Sequence, residues 1–249
     1  MAFIYGTWLD EVFSGTSGDD YIYGQGGSDV IYGGTGKDEI WGGDGNDEIF
    51  GGGDNDKIWG GAHLDTLLGG SGDDTLHGDD GDDQLYGNDN NDTLYGDEGT
   101  DYLYGEKGND SLKGGGGDDA LYGDNGNDSL DGGAGLDNLY GGSGIDTFGW
   151  LYTSDTGVTA ATADIVHDFN PAEGDQINLI GIDADVSTVG NQTFSFIGTA
   201  AFSGAPGEVR YYHFAGDTYI QMQTGTTTDV EGVIHLEGIY FPQASWFVL

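Results

Sequence analysis

"GGDGNDEIFGGGDNDKIWGG" (residues 42–61) is mostly glycine, aspartate and asparagine, with a large apolar residue at Ile49 and the next in the same phase at Ile58. Nine residues separate the two isoleucines, and nine separate Asp47 from Asp56 and Gly42 from Gly51. One apolar residue per nine cannot line a helix face, and it is too sparse for an ordinary amphipathic strand. The spacing has to be read as a repeat.

Outward from this stretch the frame holds for fifteen consecutive units, Gly15 to Gly149, without insertion or deletion. Position one is glycine in all fifteen. Position six is always aspartate: Asp20, Asp29, Asp38, Asp47, Asp56, Asp65, Asp74, Asp83, Asp92, Asp101, Asp110, Asp119, Asp128, Asp137 and Asp146. Position eight is isoleucine from Ile22 to Ile58, leucine from Leu67 to Leu139, then Phe148. Position four is glycine in twelve units and Asp54, His63 or Asn90 in the others. Those three types tolerate positive φ best among non-glycine residues, so a left-handed turn is expected there. Residues 6–14 (GTWLDEVFS) fit the frame in degraded form, with Glu11 and Phe13 in the acidic and apolar places, and read as a starting cap over 1–14.

These units resemble the G-G-x-G-x-D-x-U-x nonapeptide of RTX calcium-binding proteins, a family of parallel β-helices. The resemblance implies an all-β fold, a right-handed parallel β-roll of two sheets over residues 15–149. It also implies that each Ca2+ lies between one turn and the second turn on, sharing both position-six aspartates. Fifteen turns then hold up to about thirteen ions.

The same architecture can be argued from the residues. Six Gly/Asp/Asn-rich positions form a turn and three form a short strand, whose position eight points inward while seven and nine point outward. Two units make one coil, so alternate units stack into two sheets and two files of Ile or Leu meet in a thin core. At about 4.8 Å per strand the roll is roughly 35 Å long. Such a core is meagre, and residues 15–149 carry 31 acids against four lysines. Stacked aspartates repel one another. A hard cation resolves this: calcium takes six to eight oxygens and mixes carboxylates with carbonyls, whereas magnesium demands a stricter octahedron.

After Gly149 the period ends, and strand-like runs follow at 194–197, 209–214, 219–223 and 233–239. Residues 150–249 resemble the C-terminal region of serralysin-type metalloproteases in "DTF" (146–148), "ADIVHDFNPAEGDQINL" (163–179), "FSFIGTAAFSGAPGEVRY" (194–211) and "IHLEG" (234–238). That resemblance implies a C-terminal β cap over the open end of the roll and an uncleaved signal for a type I exporter. Asp168 and Asp175 are candidates for a further calcium. The chain departs from that family at "TGTTTDVEG" (224–232), where a calcium-loop-like Asp/Gly stretch is usual, and at Trp246, where an acid usually precedes the hydrophobic tail.

The chain has no cysteine, so disulfides contribute nothing. "MAFIYGTWLDEVF" lacks the basic start of a signal peptide. No apolar run approaches the length of a membrane span. A net charge of −40 argues against nucleic acid and anionic lipid as partners. The protease motif H-E-x-x-H is absent, no G-x-S-x-G elbow forms, and the five histidines are scattered. The expectation is a secreted, extracellular, non-catalytic calcium-binding protein that folds on meeting calcium and acts at a surface or matrix, as an adhesin does. The alternatives are a polysaccharide-binding module and the non-catalytic part of a larger secreted hydrolase. Outward position nine places Tyr32, Phe50, Leu68, Tyr86, Tyr104, Tyr122 and Tyr140 in one column, a candidate surface for a neutral polysaccharide or a second copy.

Overall fold

The computed structural model describes all residues except 151–152, 158, 160, 183–193 and 226–228, so the middle of the 224–232 stretch lies outside it. The described chain is all-β, with two short 3-10 turns at Thr153–Thr156 and Ala244–Trp246. Consecutive repeat strands go alternately to an eleven-stranded and a thirteen-stranded sheet. Within each sheet the repeat strands are parallel, and the register advances by eighteen residues, as in Ile22↔Ile40 and Ile31↔Ile49. One coil is therefore two nonapeptides.

Every position-eight side chain from Ile22 to Phe148 is fully buried, so the two files form the single thin core expected. Each such burial contributes about 1.5–3 kcal/mol. The files run on into the C-terminal region through Val166 and Ile177, and Ile4 and Phe13 pack against their start.

Three features differ from the sequence expectation. Most repeat strands are six residues long, as in Tyr21–Gly26 and Lys57–Ala62, rather than three. They begin at position seven and continue through position three of the next unit, because those Gly-rich positions keep pairing with the next coil (Gly43↔Gly61, Asp44↔Ala62). The frame also starts one unit earlier than expected, since Phe3–Tyr5 pairs with Tyr21–Gly26 and sets Ile4 opposite Ile22. Finally, the left-handed bend is double. Position four is left-handed at Asp54, His63 and Asn90, as the residue types suggest, but so is position two from Gln25 to Gly142.

The C-terminal residues continue the roll. Ile165–Val166 pairs with Asn138–Tyr140, and Gln176–Asn178 pairs with Thr147–Gly149, so both sheets cross residue 149. Gly232–Leu236 and Phe247–Val248 add one further rung to each sheet. An antiparallel hairpin of Glu208–Phe214 and Asp217–Gln223, with Ser195–Gly198 beside it, completes the larger sheet.

Candidate metal centre

Each position-six aspartate is the last residue of the turn, directly before a strand, and all fifteen are 3 % exposed or less. Their carboxylates are arranged in two rows along the roll, one for odd and one for even units. Within a row, the backbone N–H of each aspartate donates to Oδ1 of the aspartate one coil on. Asp20 donates to Asp38 at 2.8 Å, Asp83 to Asp101 at 2.7 Å and Asp128 to Asp146 at 3.0 Å. One carboxylate oxygen thus ties successive coils together.

The other oxygen has no such role. From Asp29 to Asp146, Oδ2 is buried without a hydrogen-bond partner in all fourteen aspartates. A buried polar atom left unpaired costs free energy, and an ionised one costs more. At about 4.8 Å between coils, neighbouring carboxylates repel by on the order of 3 kcal/mol at an effective dielectric near 20. The folded carboxyls accordingly favour the proton. Burial first, and then neighbouring aspartates, push Asp56, Asp65, Asp92 and Asp119 up to about 8. Burial likewise raises Asp38, Asp47, Asp74 and Asp101 to about 6. Asp20 is the exception: burial opposes its charge, but hydrogen bonds from Thr16 and Ala2 prevail and hold its carboxyl below the ordinary value.

Position one explains its own invariance. Its glycines are not among the left-handed residues. Instead, a methyl group on Gly42 would stand 2.3 Å from Asp47 Oδ2 and 2.5 Å from the Gly60 carbonyl oxygen. The same crowding recurs from Gly24 to Gly141, with Oδ2 at 2.3–2.7 Å from the methyl position. Only glycine lets the backbone pass so close to the open oxygen, and it brings a carbonyl of the next coil beside it.

No group of three or more His, Cys, Asp or Glu side chains converges on one point among the described residues. A cation held here takes few carboxylates at a time and draws its remaining ligands from carbonyls. That donor set, all oxygen and largely main chain, suits calcium and suits zinc or other N/S-seeking metals poorly. The fourteen unpartnered oxygens fit the ion that the repeat implies.

The two candidates after the repeats have different settings. Asp175 takes the place of a position-six aspartate in the next coil, its Oδ1 accepting from the Asp146 N–H at 3.0 Å. Asp168 lies outside the rows and accepts from the N–H groups of Gly141 and Gly142 at 2.8 and 2.9 Å. Asp164 was not anticipated. It continues the other row by accepting from the Asp137 N–H at 3.1 Å, and burial raises its carboxyl to about 8. Its signal was "DIV", which repeats the D-x-U pattern of a unit; its distance from Asp137, 27 residues instead of 18, hid it.

The position-nine rings form two ladders. Tyr32 stacks on Phe50 at 4.9 Å; then, beyond Leu68, Tyr86, Tyr104, Tyr122 and Tyr140 stack at 4.6–4.9 Å, and His167 extends the file. In the other sheet the ladder begins at Tyr5 and runs through Tyr23, Trp41, Trp59 and His77 to Tyr95, over which Lys113 sits at 5.2 Å. The rings are parallel to within 9°. Their faces are taken up by one another, and their edges meet solvent.

The family described as RTX calcium-binding nonapeptide repeat (4 copies) matches the chain at residues 5–40, 32–62, 41–76, 59–94, 77–112, 95–130 and 113–148, more than half of its length. Among solved structures, the solution structure of the AlgE6R2 subunit from the Azotobacter vinelandii mannuronan C5-epimerase is similar at 25 % identity and a TM-score of 0.44, over 62 % of this chain and 91 % of that one. The AlgE6R3 subunit of the same epimerase is similar at 27 % identity and a TM-score of 0.38, over 67 % and 77 %. No curated protein matches the chain.

Proposed function

The chain belongs to the RTX calcium-binding nonapeptide repeat family, and we propose that it is a secreted, non-catalytic protein whose roll folds when it meets extracellular calcium. One observation carries the reading: fourteen buried carboxylate oxygens with no hydrogen-bond partner, in two regular rows. Calcium bound there would neutralise the stacked charge and join coil to coil. Its affinity is then folding free energy. Extracellular calcium modules bind at about 10⁻⁴–10⁻³ M, so the chain stays open in the cytosol and closes outside.

Export through a type I exporter rests on the likeness of 150–249 to the serralysin-type region. The folded geometry supports the order of events. Phe247 and Val248, at the C-terminal tail, pair with Ile177 and Asn178 as the last rung of a sheet. An exporter reading that tail has to read it before the roll closes. At the cell surface the chain then serves as a matrix or adhesion-type protein. Sheet-to-sheet contact with a second copy suits the exposed ring edges better than a sugar does, since sugars stack on ring faces.

Circular dichroism in chelator and then in millimolar calcium tests the proposal. At pH 8 the strand signal is expected to appear only with calcium, and a full signal in chelator at that pH overturns it.

A further inference from the structure

The open oxygens stop short of both ends of the rows. In one row they run from Asp38 to Asp146 and in the other from Asp29 to Asp137, seven in each. The next acid outward is closed by the protein at all four ends.

At the start, Asp20 Oδ2 accepts from the N–H and hydroxyl of Thr16 at 2.6 and 2.7 Å. Glu11 Oε2 accepts from the N–H and hydroxyl of Thr7 at 2.6 and 3.0 Å. Both threonines occupy position two of their units. Every later residue at that position, from Gln25 to Gly142, is left-handed, and the two threonines are not among the left-handed residues. A β-branched side chain strongly disfavours that conformation. Threonine therefore sets the turn in a form whose N–H and hydroxyl face the carboxylate. The same substitution produces the same closure twice, once in each row.

At the far end the donors differ and the result is the same. Asp164 Oδ2 accepts from the indole N–H of Trp150 at 2.7 Å, with both side chains buried. Asp175 Oδ2 accepts from the Asn170 N–H at 2.7 Å. A donor on the oxygen occupies one of its lone-pair sites and draws down its charge, and the two donors on Asp20 Oδ2 occupy both, which leaves each a poorer cation ligand than the open oxygens.

We infer that these four donors stand in for calcium at the ends of the rows, and that cation binding is confined to the seven open carboxylates of each row. This rests on the calcium reading above and deepens it by naming where binding starts and stops. The closing groups also give the end coils hydrogen-bond partners that need no ion.

The test counts calcium bound per folded chain, by flow dialysis of the whole protein in saturating calcium, with folding followed by circular dichroism. Asp20→Asn and Asp38→Asn are neighbours in one row, one closed and one open. Asp20→Asn is expected to bind as many ions as the unaltered chain, and Asp38→Asn at least one fewer. Asp175→Asn is expected to behave as Asp20→Asn does. Loss of an ion from Asp20→Asn or Asp175→Asn overturns the inference, as does an unchanged count in a folded Asp38→Asn. If Asp38→Asn does not fold, the Asp20→Asn and Asp175→Asn counts still decide. An unaltered chain that folds and binds no calcium overturns the calcium reading itself.

Discussion

The backbone N–H of Asp83 donates to Oδ1 of Asp101 at 2.7 Å, one coil further on, while Oδ2 of the same Asp101 is buried without a partner. The carboxylate is half structural and half open. Its closed half works without a metal and fixes the coil register; its open half sets the demand for one.

A proton meets part of that demand. Burial lifts the folded carboxyls of Asp65, Asp92 and Asp119 from an ordinary 3.8 to about 8, so the calcium-free folded chain binds protons more tightly than the unfolded one. The stability so gained is fully present below about pH 4 and is lost as pH rises through about 6 to 8. In chelator, circular dichroism is expected to show more strand signal at pH 4.5 than at pH 8. More strand signal at pH 8 would count against the buried rows.

Neighbouring residues Gly87 and Asn88 make a paired test. A methyl group on Gly87 would lie 2.4 Å from Asp92 Oδ2, although the backbone there is not left-handed. Gly87→Ala is expected to cost about 1–3 kcal/mol and to raise the calcium midpoint of folding severalfold. Asn88 is left-handed at φ 77°, so Asn88→Gly is expected to change stability by less than about 1 kcal/mol. Equal effects in calcium titrations of the two variants would rule out crowding as the reason for position one.

Leu94 belongs to the thin core and is fully buried between Leu76 and Leu112 in its file. Leu94→Ala at saturating calcium is expected to cost about 2–5 kcal/mol in denaturant titration. A loss below 1 kcal/mol would mean that the ions carry nearly all of the stability.

Removing residues 150–249 takes away the rungs that pair with Asn138–Tyr140 and Thr147–Gly149, together with Asp164 and Asp175. Two sheet edges are bared. The truncated chain is expected to need more calcium to fold, or to aggregate; an unchanged midpoint in a monomeric product would dismiss the capping role.

Replacing Tyr86, Tyr104 and Tyr122 with serine removes three consecutive rungs of a ring ladder. At about 0.5–1.5 kcal/mol per stacked pair, destabilisation should be plain in melting curves. Sedimentation of the same variant separates stability from association: retained self-association would leave the ladder as sheet packing alone.

Much of this was legible because one residue per unit carries one unambiguous demand. Burial at position eight and the carboxylate rows at position six follow from phase alone. Strand length did not, since glycine and aspartate after position nine have turn composition but donate and accept as strand. The left-handed position two was masked by Gln25 and Glu106, residues with no marked liking for that conformation. Thr7 and Thr16 were visible as departures at position two, but what they close emerges only when the coils are stacked.

The eighteen-residue register has a consequence for how the repeat number can change. The written repeat is nine residues, but the two sheets carry different outer files, Tyr5 to Tyr95 on one and Tyr32 to Tyr140 on the other. Deleting a single nonapeptide transfers every downstream strand to the opposite sheet and splices one ring file onto the other, while Ile165–Val166 and Gln176–Asn178 move with the strands they pair with. Deleting two restores every match. Changes of repeat number in pairs therefore keep both ring files continuous, whereas odd changes splice them, a parity rule written into the geometry of one coil.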